Sequence, residues 1–278
     1  MKLPRVRGLV PCVLSLLLPG LGQIYNRQYK KGIVLAVLDQ AFLFLFGTIH
    51  LWDRFDGLIT FIAIGLFADI AIAVDAVVVA RRKTASPYAS ATEKPAVSRF
   101  ALLLLAAAYI FVLSQYAIRS IKLKAYITPT NSMSPTIRSG DRIVAKSYQN
   151  KPLQKGDVVV LEVHWQSQYL LVIKRIIATD GDVIKGNNGK IFLNGNLLTE
   201  PYAVHVLKHD RRFLPGSLDH FGPTVIPKGM YFVMGDNRDD SWDSRSDNFG
   251  LVSQEQIKAK VLYIYWSKQR SRIGRTIR

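Results

Sequence analysis

The sequence has a single cysteine, Cys12, among its 278 residues, and it has few acidic side chains for its length. One cysteine excludes a disulfide framework and any zinc site built from several cysteines. Asp and Glu number 20 against 37 Lys and Arg, which leaves a formal net charge of +17. Such a basic excess is typical of proteins that bind nucleic acid or an anionic membrane surface, and the distribution of apolar residues decides between the two.

Histidine is scarce as well, and the five histidines do not occur at the spacing of a metal site or a catalytic triad. His205 and His209 are four residues apart, but no carboxylate–histidine framework accompanies them. The sequence also has no glycine-rich phosphate-binding loop and no internal repeat. We therefore predict that the protein needs no metal and no other cofactor.

Long apolar runs dominate the first 118 residues. A helix needs about 20 largely apolar residues to cross ~30 Å of hydrocarbon. Three runs reach that length, and we predict membrane spans at about 32–51, 57–80 and 100–118. Basic residues collect in the linker 81–99, which predicts a cytoplasmic linker and an external position for the chain after residue 118.

A shorter apolar run at 9–24 contains Pro11 and Pro19 and has basic residues on both sides. We interpret it as an interfacial or re-entrant segment, so that residues 1–118 form a membrane region with three spans. Two alternatives remain open: four spans with an external N-terminus, and a cleavable signal peptide at the start of the chain.

From residue 119 onward the sequence changes to short apolar segments separated by Gly, Asp and Asn turns. Segments of this kind predict β-strands, and few stretches here predict helices. We therefore predict N-terminal transmembrane helices followed, over residues 119–278, by a mostly antiparallel, barrel-like β domain. The predicted strands are 141–146, 157–163, 169–177, 183–185, 190–193, 230–234 and 257–266.

Four segments of this β-rich part resemble, in order, the conserved boxes of the type I signal peptidases, also called leader peptidases. In the first, 127–146, a Ser-Met pair is followed by Pro-Thr and then by Gly-Asp. The others are 155–160, 172–182 and 235–250, the last of which begins Gly-Asp-Asn-Arg. Each segment alone is a weak signal, but four in order behind a membrane region are highly specific. The chain departs from the family at 178–182, Ala-Thr-Asp-Gly-Asp, which predicts a changed loop there.

The resemblance implies a serine endopeptidase with a Ser/Lys dyad, in which Ser132 is the nucleophile and Lys174 is the general base. It also implies that Thr130 helps the Ser132 backbone N–H to hold the oxyanion, and that Ser241 hydrogen-bonds the lysine amine. By the same resemblance, Asp243 and Arg245 form a supporting ion pair, with Asp236 beside them. A pocket for small substrate side chains is then lined by Met133, Ile137, Val172 and Ile173.

Elementary chemistry supports such a dyad. Serine is a poor nucleophile until a base removes its proton, and a free lysine, with a pKa of ~10.4, is almost fully protonated near neutrality. Burial in apolar surroundings lowers a lysine pKa. Lys174 lies within the apolar segment 169–177, which favours burial, and the next residue, Arg175, is predicted to point to the opposite face of the strand.

The same resemblance implies that the substrates are signal peptides of exported pre-proteins. It further implies a multi-pass protein of a prokaryotic cell (inner) membrane, with residues 119–278 on the extracytoplasmic side. The lipid bilayer is then a partner and nucleic acid is not. The basic tail 267–278 has no acidic residue and predicts either a patch for anionic lipid or a solvated, frayed end.

Two other functions are compatible with parts of the pattern. One is a self-cleaving, repressor-type Ser/Lys peptidase, but those proteins are soluble, and the membrane region counts against it. The other is a catalytically silent membrane scaffold, and the presence of Ser132, Lys174 and Ser241 together counts against that function.

Overall fold

The computed structural model describes residues 8–49, 51–84, 122–148, 152–205, 218 and 220–277. The chain divides into two compact units, Met1–Ile121 and Lys122–Arg278. In its described part the first unit contains α1 (Leu9–Leu17), α2 (Leu21–Tyr25), α3 (Tyr29–Ile49) and α4 (Phe55–Thr84). In its described part the second unit contains β1 (Leu123–Ile127), β2 (Arg142–Ser147), β3 (Val158–Trp165), β4 (Gln168–Ala178), β5 (Val183–Asn187), β6 (Lys190–Leu193), β7 (Asn196–Leu197), β8 (Phe221–Val225), β9 (Met230–Met234), β10 (Val252–Ser253) and β11 (Ile257–Trp266).

Within the first unit, the short apolar run 9–24 forms a helical hairpin, α1 and α2, that packs on α4. Gly20 has a positive φ of 94° and allows the chain to reverse between the two helices. The fully buried Gln23 then donates hydrogen bonds to the Ile72 carbonyl (2.8 Å) and the Asp75 carboxylate (3.0 Å) on α4. A polar anchor therefore holds this hairpin.

One helix of the described residues, Phe55–Arg82, is long and apolar enough to cross a membrane, with a mean hydropathy of 2.4. It coincides with the predicted span 57–80. The other two predicted spans are not confirmed, because 32–51 falls largely on α3, which is not counted among such helices, and 100–118 lies outside the described residues. Most of the predicted linker 81–99 also lies outside them.

The second unit is built on two antiparallel sheets. Seven strands form one sheet in the order β1-β2-β11-β3-β4-β9-β10, and four form another in the order β7-β6-β5-β8. The prediction of antiparallel β structure is confirmed, but the prediction of a barrel is wrong for the described residues. Closure requires the two edge strands to pair with each other, whereas β1 pairs only with β2, and β10 pairs only with β9.

Strand β3 is buried on both faces and fixes the position of its neighbour β4. Successive side chains of a strand point to opposite faces. Accordingly, Val158 and Val160 belong to one apolar cluster, while Val159 and Leu161 belong to another. In the β3–β4 register, Val159 lies opposite Lys174. Lys174 is therefore carried by a strand that pairs directly with a buried strand of the core.

The segment 267–277 folds back onto β11. Thr276 forms an isolated bridge with Tyr263, and Ile277, only 5% exposed, joins the core. The prediction of a frayed tail is therefore wrong for these residues. Arg272 cannot serve a lipid patch either, because its buried guanidinium binds the Asp141 carboxylate at 2.6 Å.

Candidate active site

Ser132 lies in the loop 128–141, which connects β1 to β2. The base of the loop is closed by backbone hydrogen bonds from Thr128 N–H to the Asp141 carbonyl (3.0 Å) and from Gly140 N–H to the Thr128 carbonyl (2.7 Å). Within the loop, the Asn131 side chain accepts a hydrogen bond from the Ser139 N–H (3.0 Å). These bonds hold the loop in one shape and present Ser132 at its top.

Lys174 reaches the same place from β4. Its Nζ lies 3.3 Å from Ser132 Oγ, although 42 residues separate the two along the chain. The lysine is only 3% exposed, as its apolar sequence context predicts. A hydroxyl and a buried amine within hydrogen-bond distance form the arrangement that activates a serine without a histidine.

Burial lowers the pKa of Lys174 to about 8, because the charged form of the amine loses its hydration. Asp243 opposes this effect, and Arg245 adds to it. At a pKa of about 8, roughly a tenth of the molecules carry a neutral amine at pH 7. Part of the molecules therefore carry an amine that can accept a proton near neutrality.

Thr130 lies beside Ser132, with its Oγ1 3.3 Å from Ser132 Oγ, and it is exposed at the surface. Ser241 is buried and lines the same cleft as Lys174. However, its hydroxyl does not make the predicted hydrogen bond to the lysine amine. The hydroxyl packs against Gly235 instead, at a point where an added Cβ would lie 2.3 Å from Ser241 Oγ and 2.5 Å from the Ser132 carbonyl oxygen.

The loop after β9 contains the predicted ion pair. The Arg245 guanidinium donates to the Asp243 carboxylate at 2.8 and 2.9 Å, and both side chains are buried. Asp243 also accepts a hydrogen bond from the Gly235 N–H, and Arg245 donates to the Arg238 carbonyl. Although burial raises the pKa of Asp243, Arg245 lowers it below its usual range, so the pair stays ionised.

Asp236 does not join this pair but binds Arg175, with two hydrogen bonds of 2.8 and 2.7 Å. Arg175 is 1% exposed, and it also donates to the Gly156 carbonyl (2.7 Å) and lies 4.1 Å from the centre of the Tyr202 ring. Sequence reasoning missed this partnership, because an arginine in an apolar strand gives no indication of its partner 61 residues away.

The dyad opens into a cleft of about 600 Å³. All four predicted pocket residues, Met133, Ile137, Val172 and Ile173, line it, together with Thr130, Ser132, Lys174 and Ser241. The sequence did not single out several other lining residues, which are Trp165, Leu171, Trp242, Asp239 and Asp240. The cleft is therefore apolar over part of its wall and acidic over another part.

Of the two histidines that are four residues apart in the sequence, the structure describes His205. His205 Nδ1 lies 3.3 Å from the Asp239 carboxylate, and His209 lies outside the described residues. Within the described part of the chain, no group of three His, Cys, Asp or Glu side chains could hold a metal ion.

Comparisons with known proteins found a matching family model and several similar proteins. The family model described as signal peptidase, peptidase S26, matches residues 97–266. Signal peptidase IB of Staphylococcus aureus is 34% identical over 167 residues, which cover 56% of this chain and 82% of that protein. Signal peptidase I of Bacillus amyloliquefaciens is 30% identical over 151 residues, which cover 54% and 77%. A crystal structure of signal peptidase I from Enterococcus faecalis aligns over 40% of this chain and 98% of its own, at 29% identity and a TM-score of 0.32.

Proposed function

Because this chain belongs to the signal peptidase family, peptidase S26, we propose that it is a membrane-bound serine endopeptidase with a Ser132/Lys174 dyad. Its substrates are the signal peptides of exported pre-proteins. The observation that carries the dyad is the 3.3 Å distance between Lys174 Nζ and Ser132 Oγ at a lysine that is 3% exposed.

In the first step, neutral Lys174 takes the proton of Ser132 Oγ while this oxygen attacks the carbonyl carbon of the scissile bond. The negative charge that develops on the carbonyl oxygen is held by the Thr130 hydroxyl and the Ser132 backbone N–H. The protonated Lys174 then gives its proton to the leaving amine, and the peptide bond breaks. The signal peptide remains attached to Ser132 as an ester.

In the second step, Lys174 is neutral again and takes a proton from a water molecule, whose oxygen attacks the ester carbon. The ester bond breaks, and Lys174 returns its proton to Ser132 Oγ. In each of the two steps the Lys174 amine acts first as a base and then as an acid. The full cycle consumes one water molecule. A lysine with a pKa of about 8 suits both tasks, because it binds and releases a proton near neutrality.

The cleft supports the choice of substrate. An extended peptide can lie beside a strand and place alternate side chains in pockets. Met133, Ile137, Val172 and Ile173 line the apolar part of the cleft that Ser132 shares, and we propose that they accept small side chains before the cut. We further propose that the second unit lies on the extracytoplasmic side of the membrane, where exported chains emerge.

The experiment that tests this proposal is cleavage of a pre-protein by the full-length protein in detergent. We expect Ser132→Ala and Lys174→Ala each to abolish cleavage while the protein still folds, because the two residues act as one unit. Ser134→Ala, in the same loop, and Lys185→Ala, an exposed lysine on β5, are the matched controls and should cleave like the wild type. Wild-type turnover in either dyad variant would refute the proposal.

A further inference from the structure

The segment after β11 contacts the loop that carries Ser132. We call residues 267–277 the C-terminal strap. The strap is tied to β11 by backbone hydrogen bonds from Gly274 N–H to the Ile264 carbonyl (2.8 Å) and from Ile277 N–H to the Leu262 carbonyl (2.8 Å). Ile277 lies in the same apolar cluster as Met133 and Ile137, the residues that follow Ser132.

Arg272 is the strap residue that contacts the loop most closely. It is 5% exposed, and its guanidinium donates to the carbonyls of Pro135 (3.0 Å) and Thr136 (2.9 Å). It also donates to the Asp141 carboxylate, at 2.6 and 3.2 Å. One side chain therefore joins both ends of the turn 135–141, which begins three residues after the nucleophile.

Asp141 completes the connection from the loop side. Its Oδ2 accepts the Arg138 backbone N–H (2.9 Å) in addition to the guanidinium. Although burial raises the pKa of Asp141, its hydrogen bonds, first among them that from Arg272, lower the pKa below its usual range. Two guanidinium nitrogens donate to this same Oδ2, so the contact is a buried, charge-assisted one, which is stronger than a hydrogen bond between neutral groups.

A buried ion pair of this kind is not needed for stability alone. Replacing such a pair with well-packed apolar residues often leaves the free energy of unfolding unchanged or raises it. The value of the pair can instead lie in fixing the position of the segments that it joins. Here it holds the turn next to Ser132, whose Oγ is 3.3 Å from Lys174 Nζ. That distance already lies at the long end of the hydrogen-bond range, so a small outward shift of the turn would break the contact.

We propose that Arg272 is a positioning residue, which holds the Ser132 loop from below so that the nucleophile stays within reach of Lys174. This inference rests on the proposed dyad. A misplacement of about 1 Å in an active site costs on the order of 10²-fold in rate. Lysine cannot replace Arg272 fully, because an ammonium lacks the planar fork that reaches two carbonyls and a carboxylate together.

The test measures kcat, KM and thermal unfolding of full-length Arg272→Ala in detergent, with each rate expressed per folded molecule. The matched control is Arg270→Ala, an exposed arginine of the same strap. We expect kcat of Arg272→Ala to fall on the order of 10²-fold, with KM and the control unchanged within about threefold. Arg272→Lys, which keeps the charge opposite Asp141, should fold like the wild type and still lose about tenfold in kcat.

The proposal would be overturned if Arg272→Ala had a kcat per folded molecule within threefold of the control. If Arg272→Ala does not fold, the same criterion applies to Arg272→Lys. A change in unfolding temperature without a change in kcat would overturn it too, because it would mean a purely structural role. Ser132→Ala, assayed beside them, separates this failure from that of the proposed function. If Ser132→Ala retains turnover, the dyad itself is wrong.

Discussion

In the proposed mechanism, the protonation state of Lys174 decides whether the site can react. Lys174 is carried into the interior by an apolar strand, and its amine meets one hydroxyl and the partly cancelling charges of Asp243 and Arg245. Burial is the largest influence and lowers the pKa, Arg245 lowers it further, and Asp243, Asp240 and Asp236 raise it. Two consequences follow, one for catalysis and one for folding.

We expect activity to rise with pH, because only neutral Lys174 can accept the Ser132 proton. With a pKa of about 8, kcat/KM should increase about tenfold per unit below pH 8 and level off above it. The measurement is kcat/KM between about pH 6 and pH 10 on a peptide without titrating groups near the cut. A flat profile would mean that another group is the base.

We also expect Lys174→Met to stabilise the protein at pH 7. The folded-state pKa of about 8 lies below the unfolded value of ~10.4, so between these values the unfolded chain binds more protons and stability rises with pH. Below pH 8 the full cost of burying the amine, about 3 kcal/mol, is present. The variant should therefore unfold roughly 5–10 °C higher at pH 7, and its advantage should shrink by pH 10.

Thermal unfolding of the variant at the two pH values checks this prediction. Lys185→Met, on an exposed residue of β5, is the control for changed surface charge and should shift little at either pH. An equal gain at pH 7 and pH 10 would show that added apolar volume, and not the ionisation of Lys174, is responsible.

At the scale of elements, the loop after β9 brings several parts of the site together. The Asn237 N–H donates to the Ser132 carbonyl at 3.0 Å, so this loop touches the nucleophile loop directly. Gly235 makes the approach possible, because the space that a side chain would need there is taken by Ser241 and by the Ser132 carbonyl. The dyad geometry thus depends on a residue with no reactive group.

Gly235→Ala should therefore lower both turnover and stability. The new Cβ would lie 2.3 Å from Ser241 Oγ and 2.5 Å from the Ser132 carbonyl oxygen, so the two loops must separate. We expect a destabilisation of about 1–3 kcal/mol and a loss of kcat/KM on the order of 10²-fold. Both are measured by thermal unfolding and by cleavage in detergent.

The control is Gly195→Ala, where an added Cβ meets nothing within 4 Å but the backbone has a positive φ of 82°. That variant carries backbone strain without a steric clash at the site, so it should lose some stability and keep its turnover. Equal turnover of the two variants would show that the close approach at Gly235 does not matter for catalysis.

At the scale of the whole molecule, an apolar helical unit precedes a β unit that carries the proposed dyad. We expect the β unit to face outward, since the linker 81–99 contains five Lys and Arg while the connection 50–56 contains only Arg54. In a Cys12→Ser background, an impermeant thiol reagent should label Glu255→Cys, an exposed position, in intact cells. It should not label Ser86→Cys, in the linker, until the membrane is opened. The reverse pattern would contradict this orientation.

Local patterns predicted the β unit well. All seven predicted strands are confirmed to within two residues at each end, because turn residues bound each of them. Strands β1, β7, β8 and β10 were not predicted. Strands β7 and β10 have only two residues each. Strand β1 carries Lys124 among its five residues and β8 contains Pro223, so neither shows a clear apolar pattern. The order in which strands pair depends on contacts between distant parts of the chain, which local patterns do not show. The prediction of a barrel was wrong for this reason, because the edge strands do not pair with each other in the described residues.

In the candidate site, too, some residues could be predicted from the sequence and others could not. Ser132 and Lys174 were predicted because motif order carries family information, and the structure brings them to 3.3 Å. Arg272 was placed in a solvated or lipid-binding tail because nothing in its surroundings reveals a partner 131 residues away. Long-range ion pairs have no spacing rule, so only the folded chain identifies them.

The position of β11 has a consequence for the timing of activity. This strand lies between β2 and β3, so it joins the half of the sheet next to the Ser132 loop to the half that contains Lys174. Among the strands of the described residues, β11 is also the last to be synthesised. A nascent chain that has not yet added β11 contains both Ser132 and Lys174 without the strand that aligns them, and we expect it to be inactive until β11 has been added.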